Sequence, residues 1–259
     1  MALHNIKKIV FSSSATVYGD QKIKKFNERT SLNPTNVYGK TKMIVEGILN
    51  DLYKNDKDWR IMILRYFNPI GAHHSGLIGD NPTDFPNNLL PFISQVAISK
   101  REKLFVYGKD YPTPDGTGKR DYIHVEDLAL AHINALEYCI KNKSKSIFNI
   151  GTGQGLSVAE TVRIFEESNN IKIYVEYGPR RTGGVNSQSA YAKMDNPFDG
   201  KHIAYPEDLG SADQSHYLIF EINEQVNANV SFNKGSLKAN IAKMEHYDKA
   251  TDYQRESQG

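Results

Sequence analysis

Apolar positions along residues 1–180 alternate between two periods. Ile6-Lys-Lys-Ile-Val-Phe11 is a short apolar run that reads as a buried strand. From Pro34 the period lengthens. Met43, Val45, Ile48, Leu49 and Leu52 recur at roughly helical spacing, which predicts a helix with that face buried, and Pro34 suits its entry. Residues 60–72 read as a strand ended by Asn68-Pro69, and 89–98 as a helix. Strands follow at 104–107, 121–125 and 146–150, with helices at 128–138 and 156–167. Such strand–helix alternation is the pattern of an α/β fold. Residues 73–88 are rich in Gly, Pro, Asn and Asp and form a long polar loop. After residue 185 the pattern changes. Asn186-Ser-Gln-Ser reads as a linker, residues 216–222 as one strong strand, and the charged end from Lys238 as mobile.

Candidate chemistry begins at the predicted helix. Tyr38 and Lys42 are four residues apart, so a helix puts both on one face, about 5–6 Å apart at Cβ. A lysine ammonium favours the phenolate of a neighbouring tyrosine, which would make the pair a general base near neutral pH. Two other Tyr-x-x-x-Lys pairs occur. Tyr53/Lys57 lies in a polar run, and Gly19-Asp20 separates Tyr18 from Lys22. Spacing alone leaves Tyr38/Lys42 open between a base and an ordinary surface pair. The preceding strand adds weight to the base, because Ser12-Ser13-Ser14-Ala15-Thr16 follows it directly. Ligands of open α/β sheets bind beyond the carboxyl ends of the strands. A Ser or Thr hydroxyl there, with Tyr and Lys on the next helix, can bind an alcohol and remove its proton.

The stretches Phe11-Ser-Ser-Ser-Ala-Thr-Val-Tyr-Gly-Asp20, Tyr38-Gly-Lys-Thr-Lys42, Arg65-Tyr-Phe-Asn-Pro-Ile-Gly-Ala-His73, Pro86-Asn-Asn-Leu-Leu-Pro91, residues 110–125 and Pro179-Arg-Arg-Thr-Gly183 together resemble the UDP-glucose 4-epimerase family. That family belongs to the extended short-chain dehydrogenase/reductase superfamily, and the resemblance covers about residues 2–185. It implies an incomplete Rossmann-like parallel sheet lacking its first strands, joined to a small substrate-binding α/β part. It implies NAD as cofactor and a UDP-hexose as substrate, with Tyr38, Lys42, Ser14 and Thr16 catalytic. Tyr38, Lys42, Phe67 and Ser12 would contact the cofactor. Asn68, Asn87, Asn88, Leu89, Arg120 and Arg181 would bind the nucleotide sugar, the two arginines gripping its diphosphate. A homodimer through the helix bearing Tyr38 is implied as well.

The resemblance also has gaps. The family's first third, which carries the glycine turn for the pyrophosphate, has no counterpart. Gly151-Thr-Gly153-Gln-Gly155 follows a strand, but Leu156 stands where G-x-G-x-x-G needs glycine. Ser157 and Glu160 read instead as a capping box, so this turn is expected to be structural. Gly184 replaces the family's ribose-binding aspartate. Residues 186–259 form an expected second, unrelated segment, similar around 204–223 to baseplate tail-tube proteins of contractile-tailed phages. Rival readings therefore stay open: an inert fusion whose tail is a phage assembly segment, another nucleotide-sugar epimerase or a dehydratase, or a chain whose cofactor half is separately supplied. The dehydratase chemistry usually needs an Asp-Glu pair, which Ser14-Ala15-Thr16 does not offer.

Composition adds exclusions. A net charge of +2 in 259 residues points to neither nucleic acid nor an anionic membrane. No apolar run approaches the ~20 residues of a membrane span. The lone Cys139 suits a reducing, cytoplasmic setting and reads as a small buried residue. His73 and His74 lack a matching Cys or carboxylate set, so no metal site is expected.

Overall fold

A computed structural model of the chain describes residues 1–21, 25–73, 75 and 77–180, together with the backbone of four later strands. In chain order the elements are β1 (Lys8–Ser14), β2 (Lys25–Phe26), α1 (Val37–Asn55), β3 (Arg60–Tyr66), β4 (Asn68–Ile70), α2 (Leu89–Ala97), β5 (Leu104–Tyr107), β6 (Lys119–Arg120), β7 (Tyr122–His124) and α3 (Val125–Lys141). They continue with β8 (Lys145–Ile150), β9 (Leu156–Ser157), α4 (Val158–Asn169), β10 (Val175–Gly178), β11 (Tyr191–Ala192), β12 (His216–Phe220), β13 (Ala228–Lys234) and β14 (Ser236–Ile241).

The first layer is a parallel sheet in the order β1-β3-β8. Strand period two sends alternate side chains to opposite faces. Ile61 and Ile63 join Leu49 of α1 on one face, while Met62 and Leu64 join Leu128, Ala131, Ala135 and Cys139 of α3 on the other. Helices on both faces are what a parallel sheet requires, since neither face can be left to water. Among the described residues β1 pairs with β3 alone, so its other edge is unpaired.

At Phe67 the chain changes partner. Its amide donates to Ile150 at 2.9 Å, and the next amide, of Asn68, donates to Asp121 at 3.0 Å. β4 then pairs with β7, so residues 60–72 form two strands rather than one. A second core lies beyond this switch. Leu90, Phe92, Ile93 and Val96 of α2 pack there with Leu104, Val106, Tyr122, Val162 and Phe165.

Three further expectations are corrected. β1 runs on through Ser14, because Ser12, Ser13 and Ser14 pair with Leu64, Arg65 and Tyr66. Ile48 is 56% exposed, and the charged Glu46 takes the buried place on α1. Glu46 is held there by Arg65, a partner that no hydrophobic period reveals. Residues 156–157 pair with 119–120, so α4 starts at Val158, behind the expected capping box of Ser157 and Glu160. In the tail, the strand expected at 216–222 is β12, and β13 and β14 extend it into an antiparallel sheet. The expected mobile end starts at Lys238, inside β14, and continues outside the described residues.

Candidate active site

The site is built where β1 ends and α1 begins. Ser14 is the last residue of β1 and caps the short turn Ala15–Tyr18. Its Oγ accepts from the Thr16 amide at 3.2 Å and from Thr16 Oγ1 at 3.0 Å. Asn36 caps α1 by accepting from the Gly39 amide at 2.7 Å. Gly39 is required by closeness, since a Cβ there would sit 2.7 Å from the Thr16 carbonyl oxygen. The absent side chain lets the first turn of α1 press against the Ser14–Tyr18 segment.

That contact places Tyr38 and Lys42 at the carboxyl end of β1. Lys42 Nζ donates to the Ser12 carbonyl at 2.8 Å and lies 5.4 Å from the centre of the Tyr38 ring. Tyr38 is half exposed, and its phenol neighbours that of Tyr66. Burial pushes the Tyr66 phenol above its ordinary value, and its neighbour Tyr38 adds to the effect. Ser12 also meets α3, where its Oγ lies 2.7 Å from His132 Nε2. His132 Nδ1 faces the Leu128 carbonyl at 2.8 Å. A carbonyl can only accept, so Nδ1 carries a proton and donates it to Leu128.

One turn beyond Lys42, Glu46 anchors the helix. It takes a bidentate grip from Arg65, with Nη2 to Oε2 at 2.6 Å and Nε to Oε1 at 3.0 Å. Ser13 donates to the same carboxylate at 2.5 Å. Arg65 reaches on to the Tyr18 hydroxyl at 3.1 Å, and Tyr18 donates to Asn149 at 2.6 Å. Sheet and helix are thus locked in register by charge-assisted bonds.

A cavity of about 340 Å³ opens at β4, the strand that follows β3, and neither Tyr38 nor Lys42 lines it. Asn68, Asn87, Asn88, Leu89 and Arg120 all line it, as does Tyr107. Asn68 lies two strand residues past Tyr66, about 7 Å along the chain. α2 starts at the cavity with Asn88 as its cap residue, and the Asn88 side chain makes no cap hydrogen bond to it. Arg120 Nη1 donates to the Lys119 carbonyl at 2.8 Å. Among the described residues no carboxylate pairs with it. A helix N-terminus and a guanidinium on one cavity suit an anionic ligand.

Asp121, next to Arg120 in the chain, turns toward the Gly153 turn. Its Oδ1 accepts from the Thr152 amide at 2.7 Å and the Thr152 hydroxyl at 2.6 Å, and its Oδ2 accepts from the Gly153 amide at 2.9 Å. A carboxylate of the chain therefore already fills the turn that resembles a phosphate loop. Phe67 is packed in a core cluster with Val17, Tyr18 and Phe26. Arg181 and Gly184 lie outside the described residues, as does His74. His73 Nδ1 bonds the Ser75 hydroxyl at 2.7 Å. Among the described residues no group of three ligating side chains could hold a metal, and no helix is long and apolar enough to cross a membrane.

Sequence reasoning missed Tyr66, His132 and Glu46. Tyr66 had a signal, since it stands inside the Arg65–His73 stretch. Nothing local marks His132 or Glu46, which meet β1 only through the fold.

The profile of the NAD dependent epimerase/dehydratase family matches residues 1–151, and the chain belongs to that family. A UDP-glucose 4-epimerase of Bacillus subtilis is 49% identical over 185 residues, 71% of this chain and 55% of that protein. UDP-glucose 4-epimerase 2 of Oryza sativa is 51% identical over 185 residues, 71% of this chain and 45% of the relative. Among solved structures, the UDP-glucose 4-epimerase of Bifidobacterium longum in complex with NAD+ and UDP superposes with a TM-score of 0.70 at 45% identity. It covers 74% of this chain and 57% of its own. The fold is thus Rossmann-like, and the chain spans about half the length of the relatives it matches. These relatives do not favour the reading of an inert fusion.

Proposed function

We propose that residues 1–185 form the acid–base and nucleotide-sugar portion of a UDP-glucose 4-epimerase, and that residues 186–259 are a separate tail. The reaction would interconvert UDP-glucose and UDP-galactose through a 4-keto intermediate. One observation carries the reading: Lys42, beside Tyr38, is held by the Ser12 carbonyl of β1, and a cavity at the following β4 strand presents Arg120 and the N-terminus of α2.

In this reading the Tyr38 phenol takes the proton of the sugar's 4-hydroxyl, and the Ser14 or Thr16 hydroxyl holds that oxygen. Tyr66, whose phenol neighbours that of Tyr38, would help orient it. Lys42, fixed by the Ser12 carbonyl, keeps an ammonium beside the proton-transfer step and would bind the nicotinamide ribose. Arg120, Asn68, Asn87, Asn88 and Leu89 would hold the nucleotide sugar, with Arg181 as second guanidinium. The chemistry NAD supplies when bound is acceptance and return of the C4 hydride. Tyr38, Lys42 and Ser12 fit its nicotinamide–ribose end, and Phe67, buried with Val17 and Tyr18, would lie near the nicotinamide. Its pyrophosphate finds no cradle among the described residues, because Asp121 occupies the Gly153 turn.

Val37, Ile44 and Ile48 are exposed on the outer side of α1, and this is where a homodimer would form. The lone buried Cys139 accords with a cytoplasmic protein.

The test is cofactor content and turnover. The purified chain, alone and with NAD and UDP-glucose added, is denatured and its released NAD(H) measured by absorbance and mass. UDP-galactose conversion is then assayed for wild type and Tyr38→Phe. Turnover that Tyr38→Phe abolishes supports the reading. Equal turnover in both proteins sinks it. No retained NAD(H) and no turnover means that residues 1–259 are no epimerase without a further cofactor-binding unit.

A further inference from the structure

We propose that Arg180 is a positioning residue for the cavity at β4. It latches the loop of residues 108–118 through Asp110 and holds the Tyr111 ring in place as a wall against which a nucleotide packs. The inference rests on the proposed function only for naming that ligand as the UDP part of the substrate.

The latch is set by how two strands end together. β5 and β10 run parallel with Tyr107 opposite Gly178, and the Gly108 amide donates to the Gly178 carbonyl at 2.9 Å. The chain then turns at Gly108, whose φ of +85° lies in the region that favours glycine. A Cβ there would sit 2.6 Å from the Tyr111 ring and 2.9 Å from Arg180 Cγ, so glycine leaves the space in which those side chains meet. Arg180 Nε donates to Asp110 Oδ1 at 2.8 Å, and Nη2 donates to the Asp110 carbonyl at 2.6 Å. The same guanidinium lies over the Tyr111 ring, 4.2 Å from its centre. A flat fork can grip a carboxylate and a carbonyl while stacking on a ring, which a lysine ammonium cannot do at once. The bond to Arg180 also holds the Asp110 carboxyl below its ordinary value.

The far end of the loop has its own anchor. Asp115 Oδ1 accepts from the Thr117 amide at 2.8 Å and the Thr117 hydroxyl at 2.7 Å, and its Oδ2 accepts from Ser157 at the cap of α4. Tyr111 stands between the two anchors, with its amide donating to the Gly116 carbonyl at 2.9 Å. Tyr111 lines the cavity together with Asn87, Asn88 and Arg120, whereas Arg180 is not among the described residues that line it. Arg180 therefore acts one residue removed, through the ring it holds. The side chains of Arg180 and Asp110 are 33% and 73% exposed, and an ion pair so open to water adds little to global stability. Its effect is local, on where the Asp110–Tyr111 end of the loop sits over the cavity.

The experiment measures UDP binding to the full chain by calorimetry, with thermal melting alongside. Arg180→Ala and Tyr111→Ala should each weaken UDP about tenfold or more, with melting temperatures within a few degrees of wild type. Tyr111→Phe keeps the ring and should bind close to wild type. The double variant should bind no more weakly than Tyr111→Ala alone, because Arg180 acts through Tyr111. Lys109→Ala removes a charge from the same loop, where its ammonium lies 4.6 Å from the centre of the Tyr177 ring, and should bind as wild type. Unchanged affinity in Arg180→Ala overturns the proposal, and so do losses that multiply in the double variant. A second readout needs no ligand. Hydrogen exchange of the Tyr111 amide should quicken about tenfold or more in Arg180→Ala, while that of the Thr117 amide, held by Asp115, should not change. Equal exchange at Tyr111 overturns the latch. A wild-type chain that binds no UDP, with exchange that quickens in Arg180→Ala, would count against the proposed function and not against the latch.

Discussion

Glu46 and Arg65 form a two-pronged ion pair buried between α1 and β3, with 6% and 3% of their side chains exposed. The pair stands one turn from Lys42 and joins the helix that carries the proposed base to the strand that carries Tyr66. Removing one partner leaves the other charge buried without compensation, a loss of about 3–5 kcal/mol. Glu46→Ala should therefore lower the urea midpoint sharply. Glu46→Leu combined with Arg65→Met should recover at least half of that loss, because two apolar groups avoid the stranded charge.

Tyr38 is half exposed and does not support the core. Tyr38→Phe should change the melting temperature by a few degrees at most. In the enzyme with its cofactor half in place, it should reduce UDP-galactose turnover about 10²–10⁴-fold, the usual worth of a general base. A variant that kept turnover would show that the proton goes elsewhere.

Asp121 accepts three hydrogen bonds from Thr152 and Gly153. Asp121→Ala leaves those donors without their acceptor, at about 1–3 kcal/mol for each buried group. Unfolding should move to markedly lower denaturant. If the turn is structural, NAD should shift the melting temperature of neither protein through this loop. Protection of Asp121→Ala by NAD with none for wild type would show that the emptied turn can bind phosphate.

His124 and Asp127 open α3 and titrate in opposite senses. Burial holds His124 down at about 4, against a smaller upward pull from Glu126. Burial, with Glu126 adding to it, pushes Asp127 up to about 7. The unfolded chain protonates His124 below about 6.5, where the folded chain does not, so that stability contribution is lost as pH falls from about 6.5 to 4. Asp127 stays protonated in the folded chain up to about 7, so its contribution is lost as pH rises from about 4 to 7. The two slopes oppose each other between pH 4 and 6.5. Asp127→Asn should remove one slope. Its stability minus that of wild type should climb by up to about 1.4 kcal/mol per pH unit between pH 4 and 7. Denaturant titrations at four pH values across that range would measure it, and a constant difference would contradict the assignment.

Much of the fold was legible from local signals. The period change at Pro34, the Asn68-Pro69 strand end and the Ser157/Glu160 capping box each reflect interactions within a few residues. The gathering of Asn68, Asn87, Asn88, Leu89 and Arg120 on one cavity was anticipated only through resemblance to a family, since these residues are far apart in the chain. Ile48 shows where period failed. It fits the apolar spacing of α1, yet Glu46 took the inward place because Arg65 waits across the interface. His132 could not be read at all, for its meaning depends on Ser12, 120 residues away.

By itself, then, the sequence determined the alternation of strands and helices, the caps, the Tyr38/Lys42 spacing and the want of a complete glycine turn. These depend on side-chain period, on backbone preference and on residue identity, all of which act locally. Tertiary structure alone decided that Lys42 is held by Ser12 and that Asp121 fills the Gly153 turn. It also decided that, among the described residues, β1 pairs with β3 alone. Each of these is a contact or a missing contact between distant segments. Such pairings are chosen by the free energy of burying apolar surface and satisfying polar groups across the whole chain.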